Sequence, residues 1–166
     1  GLVTPLSFRN LIINGAMMVA QRGQVTGVTN GFGGTDRFRF QSNYNAVTMS
    51  QSTDVPSGQG FIKSLKMDVT TAGGISNAST YTQLDYRFEG QELARLKYGT
   101  SSAETTTLCF WIKSPKAGTH WVRLYGDELS NSSGAAFISR KYTVSSANTW
   151  QKVTLKFPGY TSDGFD

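Results

Sequence analysis

The side chains best suited to covalent chemistry are the single cysteine and the single histidine, Cys109 and His120. Such a pair acts as nucleophile and base when a helix N-terminus or a neighbouring cation stabilises the thiolate. Cys109 falls inside a regular strand pattern that offers neither feature. The sequence therefore argues against a nucleophilic cysteine and favours a small residue packed in a strand.

Paired carboxylates are the second chemistry to consider, because glycoside hydrolysis uses two of them about 5–10 Å apart. The sequence offers Asp85 with Glu89, and Asp127 with Glu128, but no spacing selects either pair. Asp127 and Glu128 also fall short of a calcium site, which takes about six or more oxygen ligands. We therefore expect no enzymatic activity, no bound metal and no cofactor.

A third group of side chains is suited to binding. Exposed aromatic rings flanked by polar groups can stack against sugars. The candidate glycan-binding residues are Trp111, Trp121, Arg123, Tyr125 and Tyr86. The alternative is that the helix or a second sheet buries Trp111 and Trp121, since tryptophan is highly buried on average. The sequence alone leaves both possibilities open.

The strands that carry most of these residues have the clearest pattern in the chain. Apolar side chains alternate with other types over 106–114, and again over 119–125. A short segment containing proline and glycine separates the two runs, which is typical of a turn. The sequence predicts an antiparallel hairpin at the centre of a sandwich, with Leu108, Phe110 and Ile112 on its core face.

Similar strand patterns recur at about ten-residue spacing through the chain, which is typical of a β-sandwich. They include short strands at 11–13 and 17–20, whereas 24–34 has the composition of a loop. One helix is predicted at about 89–98. The predicted fold class is all-β, a jelly-roll β-sandwich with one short helix.

The length of 166 residues suggests a single domain. We expect residues 1–9 to form an N-terminal arm or lead-in and residues 10–166 to form one jelly-roll domain. No closing strand follows 160–166, so either the chain has been cut short or a neighbouring chain completes the sandwich.

The charge balance argues against two classes of partner. The chain has 16 basic and 11 acidic residues, a net charge of +5, and the basic residues are scattered. A nucleic-acid site needs clustered cations, so we expect no nucleic-acid partner. No apolar run approaches the roughly 20 residues that span a bilayer, so we expect no membrane insertion.

Several motifs resemble known families. The segments NLIING (10–15), LCFWIK (108–113) and NTWQKVTL (148–155) recur in this order in family 4/9-like carbohydrate-binding jelly rolls. Those modules usually carry exposed aromatics in a cleft, and many hold a structural calcium. This chain departs from them because no loop has a compact set of carboxylates.

A longer set of segments resembles bacteriophage virion proteins, particularly those of marine phages that form tail fibres, head fibres or capsid decorations. The matching segments are 10–23, 34–38, 51–60 and 88–93. The resemblance implies a virion location and does not say which part of the virion. Together with the aromatic residues and the lack of a catalytic pattern, it leads us to expect a non-enzymatic virion structural protein, an appendage or fibre subunit that contacts host surface glycans. The alternative is a capsid decoration or cement protein that stabilises the shell without binding glycans.

The same resemblance implies the partners and the location of the protein. The expected partners are other virion proteins, copies of the chain itself in a trimer or ring, and host surface polysaccharide. The expected location is the virion, after assembly in the host cytoplasm.

Overall fold

Antiparallel strands make up most of the regular structure. The computed structural model describes residues 10–71, 73–74, 77–126 and 136–161. The elements are β1 (Val25–Val28), β2 (Asn30–Phe32), β3 (Phe38–Ser42), β4 (Ala46–Ser52), β5 (Ser64–Thr71), β6 (Thr82–Tyr86), α1 (Gly90–Leu93), a 3-10 turn (Ala94–Leu96), β7 (Thr106–Ile112), β8 (Gly118–Gly126), β9 (Ala136–Val144) and β10 (Gln151–Phe157). The predicted fold class, an all-β sandwich with one short helix, is confirmed.

The chain forms two compact units, Gly1–Phe88 and Glu89–Asp166, which we describe separately. That residues 10–166 form one jelly-roll domain stays a prediction. The expected arm at 1–9 and the segment 162–166 lie outside the described residues. No helix in the described part of the chain is long and apolar enough to cross a bilayer.

The first unit contains two three-stranded sheets, with strand orders β1-β4-β5 and β2-β3-β6. Its core consists of Val28, Phe40, Val47 and Met49, which are all buried. Phe40 belongs to β3, whereas Val47 and Met49 belong to β4, so both sheets contribute to one core. This is the packing of a sandwich, in which the inner faces of two sheets share their apolar side chains.

The strands predicted at 11–13 and 17–20 are wrong, because this segment folds around the side chain of Asn14. The Asn14 amide nitrogen donates to the carbonyl oxygen of Val19 (2.9 Å), and Asn14 Oδ1 accepts from the Val19 N–H (2.9 Å). The same amide nitrogen also donates to the carbonyl oxygen of Asp36 (3.0 Å). One side chain thus supplies hydrogen bonds that a neighbouring strand would otherwise make.

The loop predicted at 24–34 is also wrong, because it contains β1 and β2. Val28 of β1 lies opposite Val47 of β4, and Gly31 of β2 lies opposite Phe40 of β3. Glycine and asparagine are depleted in strands, although strand propensity depends strongly on context. Here the apolar strands beside them determine the structure.

The second unit contains two two-stranded sheets, β7 with β10 and β8 with β9. Val144 of β9 and Phe157 of β10 are fully buried, and Val153 of β10 is nearly so. The ring of Phe110 on β7 contacts that of Tyr142 on β9 edge-on, with centroids 5.2 Å apart. The two sheets therefore share side-chain contacts, as in a small sandwich.

The predicted hairpin of 106–114 with 119–125 is wrong. β7 pairs with β10, so that Phe110 lies opposite Val153, and β8 pairs with β9, so that Val122 lies opposite Arg140. The core face predicted for β7 nevertheless agrees with the structure, because Leu108, Phe110 and Ile112 are all partly buried.

The backbone after β7 explains why the hairpin does not form. The carbonyl oxygen of Ser114 accepts a hydrogen bond from the N–H of Asn148 (2.7 Å), which lies in the turn between β9 and β10. Pro115, which follows, has no N–H to donate to a strand ladder. The segment after β7 is therefore bonded to the turn that precedes β10, and the chain then enters β8 in the other sheet.

The single short helix lies within the predicted span. Glu89 caps it through a capping box, in which its side chain accepts from the backbone of Glu92 and the Glu92 carboxylate accepts from the Glu89 N–H. Lys97 follows the 3-10 turn in a left-handed conformation (φ 50°). A left-handed residue ends a helix, so the regular part is shorter than predicted.

Candidate functional site

The most distinctive surface of the second unit is the outer face of the sheet formed by β8 and β9. Successive side chains of a strand point to opposite faces, so the odd-numbered residues of both strands share this one. We call it the β8–β9 outer face. Its residues are Thr119, Trp121, Arg123 and Tyr125 on β8, and Phe137, Ser139, Lys141 and Thr143 on β9.

The antiparallel register brings these residues together in cross-strand pairs. Trp121 lies opposite Lys141, and Tyr125 lies opposite Phe137. Arg123 lies between them on β8, opposite a serine. Opposed side chains on one face of an antiparallel pair are about 4.5–5.5 Å apart at Cβ, so each pair is in contact range.

Three large aromatic side chains on this face are open to solvent. The exposed fractions are 65% for Trp121, 53% for Tyr125 and 56% for Phe137. Tryptophan is usually well buried, so such a cluster is a feature of binding surfaces rather than of packing. The alternative that a helix or a second sheet buries Trp121 is therefore wrong.

Arg123 lies at the centre of the face, among the aromatic residues, and contacts one of them. Its Cζ lies 4.8 Å from the centroid of the Phe137 ring, which is the geometry of a cation–π contact. The Arg123 side chain makes no hydrogen bond or ion pair with another described residue. Its N–H donors are therefore available to a ligand.

The inner side of the same sheet holds the outer face in place. Val122 and Leu124 are partly buried beneath it. The rings of His120 and Tyr142 stack on this side, with centroids 5.4 Å apart and planes inclined by 23°. Burial raises the pKa of the Tyr142 phenol above its ordinary value of 10.0, because the charged form is desolvated.

The structure brings together three of the five predicted site residues, namely Trp121, Arg123 and Tyr125. Trp111 lies on β7, in the other sheet of the second unit, where it is partly buried and opposite Lys152. Tyr86 lies on β6 of the first unit. The two remaining residues therefore do not belong to the β8–β9 outer face.

Tyr86 is held by a hydrogen bond and by two aromatic neighbours within the first unit. Its hydroxyl oxygen accepts a hydrogen bond from the N–H of Ile13 (2.7 Å). Its ring packs between those of Phe38 and Phe88, with centroid distances of 5.4 and 4.9 Å. These contacts fix the segment that precedes β1, which is a packing role.

Sequence reasoning missed Phe137 and Lys141. Both lie in a segment whose alternation predicts a strand, so their facing direction could be read from the sequence. The identity of the partner strand could not, because it depends on the register between β8 and β9.

The side chains considered for catalysis each make contacts of their own. Cys109 lies on β7, where its sulfur is 3.4 Å from the hydroxyl of Thr154, whereas His120 lies on β8 and stacks on Tyr142. Asp85 contacts Gln83 (3.3 Å), and Glu89 serves as the helix cap.

The predicted carboxylate pair Asp127 and Glu128 lies outside the described residues. Within those residues, no group of three or more histidine, cysteine, aspartate or glutamate side chains is placed to hold a metal ion.

Comparisons with family models, with curated proteins and with solved structures found no match to this chain.

Proposed function

We propose that this protein is a non-enzymatic structural component of a phage virion, an appendage or fibre subunit that contacts host surface glycans through the β8–β9 outer face. The observation that carries the proposal is the exposure of Trp121, Tyr125 and Phe137 on one sheet face around Arg123. Aromatic rings with polar neighbours are the usual means of holding sugar rings.

The dimensions of the face suit an extended ligand. Trp121 and Tyr125 are four residues apart on one strand, so their Cα atoms are about 14 Å apart. That distance exceeds the length of one sugar ring, so the two aromatic side chains would contact different units of a chain. The hydroxyl groups of Thr119 and Thr143 lie at one end of the face, within 3.4 Å of each other.

The scaffold supports binding without rearrangement. Every residue of the face lies on a paired strand, and the inner side of the sheet is packed against aromatic rings. Sites built on strands hold their side chains more closely than sites built on loops. A small ordering cost leaves more of the contact energy for affinity.

The virion location rests on the resemblance of the sequence to phage virion proteins. The glycan-binding part rests on the outer face alone, so each part can fail without the other. They therefore need separate experiments.

Glycan binding is tested by applying the full chain to an array of bacterial surface polysaccharides. We expect binding to at least one glycan, and we expect Trp121→Ala and Tyr125→Ala each to weaken it about tenfold. Tyr81→Ala is the matched control, because Tyr81 is also an exposed tyrosine but lies in the first unit. An array without any signal, or an equal loss in the control, would refute this part.

The virion location is tested by immunogold labelling of purified phage particles with an antibody against the chain. We expect label on the tail or head appendages. Label spread over the capsid shell would instead support the decoration or cement alternative, and particles without label would refute a virion location.

A further inference from the structure

We infer that the ligand of the β8–β9 outer face is an acidic polysaccharide whose sugar units carry carboxylates. This inference rests on the proposed function, since it names the class of glycan that the same face would bind. It follows from the charges that lie among the exposed aromatic rings.

The two charged residues of the face are both cations. Arg123 and Lys141 are exposed, and neither forms an ion pair with any described residue. The other positions of the face are aromatic side chains and hydroxyl groups, so no carboxylate of the face neutralises the two cations. An anionic ligand would be attracted to this pair of cations.

The register places the two cationic residues at neighbouring positions of the face. Arg123 lies opposite Ser139, and Lys141 lies opposite Trp121, so the cations are diagonal neighbours on adjacent strands. Diagonal neighbours on one face are about 7–8 Å apart. The Arg123 guanidinium leans toward Phe137, on the side away from Lys141. Carboxylates on different units of one polysaccharide chain would therefore meet the two cations, while the sugar rings reached the aromatic side chains.

The guanidinium of Arg123 is well suited to a carboxylate. A guanidinium presents a planar set of N–H donors that matches the two oxygens of a carboxylate. The contact with the Phe137 ring reduces the number of positions that Arg123 can take up before a ligand arrives. Fewer positions mean a smaller loss of side-chain entropy on binding.

Charge also decides against the other occupants of such a face. A second copy of the chain, packed face to face, would bring the two cations of one face against those of the other. The scattered basic residues of the chain also disfavour a nucleic acid, which needs clustered cations.

The experiment compares acidic polymers with uncharged forms of the same backbone. The full chain is titrated with polygalacturonate, alginate and hyaluronan, and with the methyl-esterified form of each. We expect at least one acidic polymer to bind about tenfold more tightly than its ester and to lose most of this advantage as salt rises to about 1 M.

Variants connect this preference to the two cations. We expect Arg123→Gln and Lys141→Gln each to weaken binding of the acidic polymer about fivefold and to weaken binding of the ester by a smaller factor. Lys116→Gln is the matched control, because Lys116 is an exposed lysine in the segment between β7 and β8. Thermal unfolding of each variant shows that the fold is intact.

The outcomes separate this inference from the proposed function. Equal binding of each acid and its ester, or array binding by neutral glycans alone, would overturn the inference and leave the proposed function standing. No binding to any polymer or array glycan would overturn both. Tighter binding of a single-stranded oligonucleotide, or a dimer in sedimentation that Arg123→Gln dissociates, would overturn the inference in favour of a nucleic acid or a second copy.

Discussion

Arg123 lies over the ring of Phe137, with 4.8 Å between its Cζ and the ring centroid. The two residues are on different strands and are diagonal neighbours, since Tyr125 is the residue opposite Phe137. The contact therefore depends on the register of β8 with β9. It links the cation at the centre of the β8–β9 outer face to the aromatic pair at one end of it.

Replacing the ring tests whether this contact prepares Arg123 for a ligand. We expect Phe137→Leu to weaken glycan binding about threefold to tenfold, because a cation–π contact and a stacking surface are both lost. Stability should change by less than about 1 kcal/mol, because the side chain is exposed. Calorimetric titration and urea unfolding measure the two effects.

Phe32→Leu is the control for this substitution. Phe32 is also exposed and has its own arginine, Arg22, whose Cζ lies 5.5 Å from the ring centroid. It belongs to the first unit. Equal losses of affinity in the two variants would contradict a specific role for the contact between Arg123 and Phe137.

Two methionines that lie opposite each other test the position of the first core. Met49 on β4 is 0% exposed, whereas its cross-strand partner Met67 on β5 is 41% exposed. We expect Met49→Ala to reduce the free energy of unfolding by about 2–5 kcal/mol, because a cavity is left in the core. Met67→Ala should cost less than about 1 kcal/mol. Similar losses of unfolding free energy in the two variants, measured by urea unfolding, would contradict this position of the core.

Gly34 tests the close packing of the segment between β2 and β3. Its φ is +68°, and a Cβ at this position would lie 2.7 Å from the backbone nitrogen of Ser50. We expect Gly34→Ala to destabilise the protein by about 2–5 kcal/mol, from backbone strain and overpacking together.

Gly58→Ala is the matched control for Gly34→Ala. Gly58 has a similar φ of +71°, but its Cβ would meet no atom within 4 Å. This variant should cost only the backbone strain, about 1–2 kcal/mol. Thermal unfolding that gave the same loss in both variants would show that the contact with Ser50 has no effect.

Tyr142 gives the stability a dependence on alkaline pH. In the unfolded chain its phenol titrates near the ordinary pKa of 10.0, whereas burial raises the pKa in the folded protein. Above about pH 10 the unfolded state has lost a proton that the folded state still holds, so unfolding becomes more favourable. This contribution to stability is complete below about pH 10 and is lost as pH rises through the folded pKa.

Tyr142→Phe isolates this effect, because a phenylalanine keeps the ring contacts with Phe110 and His120. We expect the variant to lose less stability than the wild type between about pH 9 and about pH 11, as measured by urea unfolding. Parallel losses in the two proteins would mean that the Tyr142 phenol is not desolvated by folding.

The facing direction of side chains was predictable from the sequence, because it depends only on alternation within one strand. Val122 and Leu124 point inward and Trp121 points outward, as a period of two requires. The helix was predictable for a similar reason, since its start depends on the nearby pair Glu89 and Glu92.

The neighbours of each strand were not predictable, because they depend on contacts between distant parts of the chain. β7 and β8 are consecutive and well patterned, yet they pair with β10 and β9. The strands predicted around Asn14 were wrong for a different reason, because a single side-chain amide makes the hydrogen bonds that a strand partner would make. Phe137 and Lys141 became site residues only through the register.

The indole N–H signals of the protein's three tryptophans, followed by NMR during titration with a glycan, report which surface the ligand contacts. Substitution of each tryptophan by phenylalanine assigns its signal. We predict that the signal of Trp121 shifts in proportion to saturation, while those of Trp111 and Trp150 stay within the line width. A shift confined to Trp111 or Trp150, or an unmoved Trp121 signal at saturation, would contradict the assignment of the β8–β9 outer face as the binding surface.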